Sequence, residues 1–379
     1  MPRLPTPRQG EHLVIRRRPI DFGFWPMGRT TRRYGLQVPL YCGDPWPVAS
    51  ERIRAICPSA QRPAARAFVD QARDLYFSAA NRPVTAATPL ILYYCYLNLI
   101  KAFILAIDQR RVLDRAKHGL SEQLGHGKAG LTNAFLDAFP STGATVNVFH
   151  EFVRALDGVG LSKRVQLPLP QLLPQVVAVH RLWVAAPGAN EERFLGVERI
   201  AFVQDKAAKE IWLRLHVFAD SLAVLGLTHA KFLDQAGLAT SWREVRCSDS
   251  LGGRRLVCFE QASGLAYCSR PADEVANLVA TVRPRLWAAA TMYAPWRRYY
   301  LYAAPAAEQA SVLPQLASIY AITYYLGSVA RYRPHHFQSI LEGPYEPWVR
   351  AFLGQQPTQF LFLLTSDIAR RDLLKAAIA

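Results

Sequence analysis

Two groups of side chains in this sequence have types and spacings that could do chemistry. In the apolar stretch Thr88 to Ile107, TPLILYYCYLNLIKAFILAI, residues Tyr94, Asn98 and Lys101 are four and then three positions apart, so a helix puts them on one face. A buried amide must find partners, and a buried ammonium must find an anion or reach solvent. A ligand phosphate, a carboxylate from another helix, or a path to the rim would each satisfy Lys101. The competing reading is a polar network that fixes helix register.

The second group is Arg331-Tyr332-Arg333-Pro334-His335-His336-Phe337. Pro334 is expected to close the preceding helix at Arg331 and to leave both histidines on the turn beyond it. A fixed cation beside an imidazole can hold a phosphate while the imidazole moves a proton. On RNA, His336 would activate the 2′-hydroxyl and Arg331 would stabilise developing charge, with no metal needed. The plain alternative is an arginine capping helix carbonyls and a histidine acting as a structural donor. His118, beside Gly119, follows the first helix, so the ends of both strong helices could converge on one pocket. The candidate catalytic pair is thus Arg331 and His336, with Tyr94, Asn98, Lys101, His118, Arg333 and His335 as ligand-binding residues.

Several elements must position these groups. Pro89 is compatible with a helix start because its missing N–H would be unpaired there. Ser59 to Ala80 forms an amphipathic helix, with Ala65, Phe68, Val69, Ala72, Leu75, Tyr76 and Ala79 as its apolar stripe. Leu131 to Phe139 is a short helix by its pattern. Leu313 to Arg331 is the second strong helix, and two more are expected near Tyr345–Leu353 and Phe360–Ile378.

Between them the pattern changes. Val146–Phe149, Val165–Leu167, Gly196–Gln204 and Glu210–Phe218 are expected strands, and Trp242–Cys247 with Arg255–Phe259 is an expected hairpin; Leu169–Trp183 and Leu222–Leu233 are expected helices. The chain therefore divides into an irregular basic N-terminal arm over 1–58, a first part of a helical core over 59–144, an α+β insertion over 145–275 and a second helical part over 276–379. The fold class is mainly α-helical with an inserted α+β section. Repeated prolines exclude long helices from the arm, whose aromatics suit a strap across the folded body.

The chain has 379 residues and a formal net charge of +16, carried by 37 Arg and 8 Lys. The excess is uneven: residues 1–66 carry +8 and residues 281–379 carry +5. Such a balance favours an anionic partner. Basic pairs at Arg32-Arg33 and the mixed run Trp287, Tyr293, Trp296, Arg297, Arg298, Tyr299, Tyr300 and Tyr302 suit stacking on single-stranded nucleic acid, or equally the packing of a domain joint.

The six cysteines include no C-x-x-C pair, and the intervals separating Cys247, Cys258 and Cys268 carry no metal signature. Reduced thiols in a cytoplasm and no metal or cofactor are the expectation. Residues 89–107 approach the length of a membrane span, yet Asn98 and Lys101 fall mid-stretch, so a buried helix is expected and no membrane. Phosphate loops, nucleophile elbows, zincin helices and dinucleotide fingerprints are all absent from the sequence.

PLILYYCYLNLIKAFILA, with His118-Gly119-Leu120 after it, resembles the hallmark segment of the YaaC-like family of bacterial proteins. YLGSVARYRPHHF at 325–337 resembles that family's other marked block, and QARDLYFSAA its first helix. The resemblance implies relatives without an assigned activity. A weaker likeness is to the helical HEPN superfamily, many of whose ribonuclease members carry Arg and His near a helix end; Arg331 and His336 have four residues between them, but Tyr332 and Pro334 depart from that pattern. The expected function is binding of RNA or a nucleotide, with metal-independent ribonuclease activity as its catalytic form. The alternative is a non-enzymatic scaffold, a homodimer or a subunit of a protein complex, with Arg331 and His336 buried away from any cleft.

Overall fold

Thr88–Ile107 is helical throughout in the computed structural model, which describes residues 4–29, 34–80, 82–108, 113, 115–124, 130–143, 145–188, 191–289 and 298–375. Fifteen of the helix's residues are buried. It is also long and apolar enough to cross a membrane, but most of that stretch is packed inside the protein. Arg32-Arg33, Tyr293, Trp296 and Arg297 lie outside the described residues.

The chain gathers into two compact units. One comprises residues 44–190 and 307–369, and the other residues 1–43, 191–306 and 370–379. The seams therefore fall at different places from the boundaries expected at 58, 144 and 275.

The first of these units is built on the central helix, flanked by the helices Trp46–Ile56, Arg62–Ala79, Val148–Asp157, Gln315–Tyr332, Pro334–Leu341 and Glu346–Ala369. Gly327 makes the closest crossing. A Cβ built on it would meet Pro89 O and Tyr93 Cβ at 3.1 Å each, so the absence of a side chain lets the Gln315–Tyr332 helix rest directly on the central helix. A three-stranded antiparallel sheet completes the unit, pairing Leu120–Gln123 with Phe135–Ala138 and the latter with Val165–Pro168.

The other unit carries the larger sheet. Its antiparallel path runs Glu11–His12, Arg199–Asp205, Glu210–Phe218, Arg254–Gln261, Trp242–Val245, with two short strands joined to it. Glu260 lies fully buried on this sheet. Its carboxylate accepts from Arg243 Nη2 at 3.0 Å, Arg214 Nε at 3.2 Å and the Arg8 amide at 3.1 Å. Of the described aromatics of the 283–305 run, Trp287, Tyr299 and Tyr302 are buried in a smaller sheet of the same unit, and Tyr300 on the same strand is half-buried.

The expectation of a mainly helical chain is corrected. Helix makes up 47% and strand 23%, and the large sheet curls into a half-barrel, so the fold is mixed α/β. The arm expected to be irregular over 1–58 is corrected as well: it holds the helix Trp46–Ile56, which Pro47 opens in its first turn, and short strands, of which Glu11–His12 adds to the curled sheet. Phe135–Ala138 is a strand and not part of a helix, because it pairs on both edges and buries Asp137 against Arg164 at 2.6 and 3.0 Å. Val148 begins a helix where a strand was expected. The last expected pair of helices is one element, Glu346–Ala369, with Pro357 inside it, and Leu373–Lys375 is a strand.

Candidate functional site

Pro334 does end the Gln315–Tyr332 helix, but it also opens the next one, Pro334–Leu341. Arg333, with φ −143° and ψ 59°, forms the break, as expected for a residue pushed out of α geometry by the proline that follows it. His335 and His336 therefore occupy the first turn of a new helix instead of an open turn. Their rings sit 4.3 Å apart, and neither lines the cleft described next.

That cleft, of about 50 Å³, is bordered by Tyr93, Tyr94 and Leu90 of the central helix, by Tyr324, Gly327, Ser328, Arg331 and Tyr332, and by His118. Arg331 Nη1 donates to the Tyr94 hydroxyl at 2.7 Å. The convergence is thus between the last turn of one helix and the opening turns of the other. Two C-terminal ends do not meet, because the crossing at Gly327 sets the overlap of the two rods. Tyr320, Tyr324, Gly327 and Arg331 recur at intervals of four, three and four on a single helix face.

His118 reaches the cleft from a segment fixed by its backbone. Phe149 N donates to His118 O at 3.1 Å, and Lys117 exchanges hydrogen bonds of 2.9 Å with Val146 and Val148. Gly119 has φ +81°, and a Cβ there would approach Asn147 Cβ to 2.9 Å, so this tight passage requires glycine. The Tyr93 hydroxyl makes a short hydrogen bond with His118 Nδ1. Burial, followed by the neighbouring Tyr320, holds the Tyr93 phenol far above its ordinary pKa, so it stays protonated.

Partial desolvation, then the charges of Lys101 and Arg331, lower the His118 pKa below the usual histidine value of 6.5. A neutral ring that accepts from Tyr93 at Nδ1 carries its proton on Nε2, and one that donates from Nδ1 to the Tyr93 oxygen leaves Nε2 as an acceptor. The arrangement supplies a guanidinium, an imidazole and a phenol around a space that holds a few waters or one small oxyanion. Among the described residues, no carboxylate lines the cleft and Arg331 has no ion-pair partner.

Other candidate residues stand elsewhere. Asn98 donates to Gln71 Oε1 at 2.7 Å and is buried, tying the central helix to Arg62–Ala79. Lys101 Nζ lies 5.2 Å from the centroid of Phe68 and reaches the cleft only through its field. Arg333 pairs with Glu122 at 3.4 Å, and Glu122 also stands 3.2 Å from the Tyr324 hydroxyl. Of the expected set, Tyr94, His118 and Arg331 come together at the cleft. Tyr93 and Tyr324, outside the expected set, also border the cleft, at helical spacings from Leu90 and Arg331 that are visible in the sequence.

Residues 58–368 match the family described as YaaC-like protein. The chain belongs to the YaaC-like family. That match includes both the central helix and the Arg331 block, so every residue lining the cleft falls within the family region. No match was found among curated proteins or among solved structures.

Proposed function

We propose that this YaaC-like protein binds a phosphate group of RNA or of a nucleotide in the cleft between Tyr94, His118 and Arg331. One observation carries the reading: the exposed Arg331 guanidinium, which has no carboxylate partner among the described residues, and the His118 imidazole border the same space, sized for an oxyanion. A phosphate there would receive charge-assisted hydrogen bonds from Arg331 and the Nε2–H of His118. The cleft is too small for a base. Tyr332, 62% exposed and stacked against Arg331 at 4.9 Å, offers a ring on which a base outside the cleft can lie.

Exposure of Arg331 weighs against the scaffold alternative, which needs that residue buried. The catalytic form of the proposal assigns the imidazole role to His118, because His336 does not border the cleft. Its hydrogen bond to the buried Tyr93 holds the ring as a proton-transfer group must be held.

Fluorescence anisotropy with 5′-labelled single-stranded RNA, competed by AMP, ATP and inorganic phosphate, tests the binding. Arg331→Ala should weaken it about tenfold or more, while Arg66→Ala, an exposed charge control, should leave it near wild type. Absence of binding, or equal losses in both variants, overturns the proposal. Incubation with RNA in EDTA beside His118→Ala tests cleavage.

A further inference from the structure

The curled sheet brings together side chains that the sequence keeps well apart. His216 lies on the Glu210–Phe218 strand, whereas Cys247 and Asp249 follow the Trp242–Val245 strand two residues apart, in the extended segment leading to Ser250. One nitrogen of His216, the Cys247 sulfur and an Asp249 oxygen all lie within 4.8 Å of one another. His216 Nε2 is 3.9 Å from Asp249 Oδ2.

A tetrahedral zinc ion with bonds of about 2.0–2.3 Å holds its donors roughly 3.3–3.8 Å apart. The His216–Asp249 pair therefore needs to close by roughly half an ångström, and no pair by more than about 1.5 Å. Imidazole, thiolate and carboxylate together suit a borderline-soft divalent ion and not a hard one such as magnesium or calcium.

A cation already stands against this triangle. Arg199, opposite His216 in the sheet register, places Nη2 2.9 Å from Asp249 Oδ2 and Nε 3.5 Å from His216 Nδ1. Its side chain is 51% exposed, so it can swing out to solvent. A cleft of about 540 Å³ opens on the Asp249 side of the triangle, bordered also by Glu198, Arg199 and Leu256. His216 is buried on the sheet, Cys247 is half-buried two residues beyond the Trp242–Val245 strand, and Asp249 is exposed on the solvent side.

We infer that His216, Cys247 and Asp249 form a binding site for a zinc-class divalent ion, with Arg199 holding the cation position when the metal is absent. Binding releases the thiol proton of Cys247 to solvent and forms one metal–sulfur bond, without any change of oxidation state. The site lies in the other unit from the His118–Arg331 cleft and does not depend on that cleft's function.

The test uses full-length protein stripped with a chelator, dialysed and kept reduced with a phosphine, then titrated with Co²⁺ and back-titrated with Zn²⁺. Wild type should bind one Co²⁺ per chain with a thiolate-to-cobalt charge-transfer band that Zn²⁺ abolishes. Cys247→Ser should lose the band, and Asp249→Asn should weaken binding by about tenfold or more. Arg199→Ala should bind more tightly, because it removes the competing cation. Absence of a band in wild type, or an unchanged band in Cys247→Ser, overturns the inference. If Cys247→Ser does not fold, the exposed Asp249→Asn variant decides: unchanged affinity there overturns it as well.

Discussion

Tyr93 on the central helix meets Nδ1 of His118 across a chain separation of 25 residues, and this hydrogen bond orients the only imidazole that borders the cleft among the described residues. The ring is held from behind by a phenol that remains protonated. Its opposite nitrogen is thereby left for a ligand or for solvent.

Tyr93→Phe removes that support without changing the bulk of the core. Losing one hydrogen bond from a buried phenol should cost about 1 kcal/mol of stability. Phosphate or RNA affinity should fall by a larger factor than thermal stability suggests, because His118 loses the hydrogen bond that orients its ring. Paired denaturation and anisotropy measurements separate the two effects.

The lowered His118 pKa sets a direction for pH dependence. Near neutrality the imidazole is uncharged, and it gains a proton only below the usual histidine value of 6.5. An anion in the cleft should therefore bind more tightly as pH falls through the His118 titration, and by reciprocity should raise that pKa. For folding the sign is opposite. A depressed folded-state pKa contributes stability that is present above about pH 6.5 and lost as pH falls through the folded value. Arg331→Ala should move the His118 midpoint upward, as read by NMR titration.

Gly327 should not tolerate a large side chain. The atoms that a Cβ would meet are the Pro89 carbonyl and Tyr93 Cβ, which belong to a packed helix and cannot move aside cheaply. Gly327→Leu should destabilise the protein by about 2–3 kcal/mol through overpacking. It should also abolish ligand binding, because the residue borders the cleft. Gly327→Ala should be much milder, since helix propensity offsets part of the crowding. Chemical denaturation of both variants checks the ranking.

Glu260→Ala should be among the most damaging substitutions in the curled sheet. It would leave the guanidinium groups of Arg214 and Arg243 without the carboxylate that now receives both. Breaking a buried pair in this way costs about 3–5 kcal/mol. A loss below about 1 kcal/mol in urea denaturation would contradict the assignment.

The parts of this fold legible in the sequence are those decided by local pattern. Thr88–Ile107 is too apolar for anything but a buried rod, and Arg62–Ala79 follows its apolar stripe. Pro334 was correctly read as a break but not as a helix start, although proline suits both positions. Phe135–Ala138 could not be told from a helix by its run of apolar residues, because its strand identity comes from partners on either side. The curled sheet was missed as an architecture for the same reason: the register of Glu210–Phe218 is set by strands distant in the chain. At the cleft, Tyr94, His118 and Arg331 were visible as types worth noting. Which imidazole stands beside Arg331 was not, since four residues of sequence separation to His336 counted for less than a helix crossing that brings in His118.

A titration followed by ¹⁵N NMR on histidine-labelled protein separates these alternatives in one experiment. Adding a 5′-mononucleotide should shift the His118 ring nitrogens and raise its pKa, while His335 and His336 stay unchanged, and Arg331→Ala should abolish the response. Unperturbed His118 signals at saturating nucleotide, or a response confined to His336, would contradict a phosphate site between His118 and Arg331.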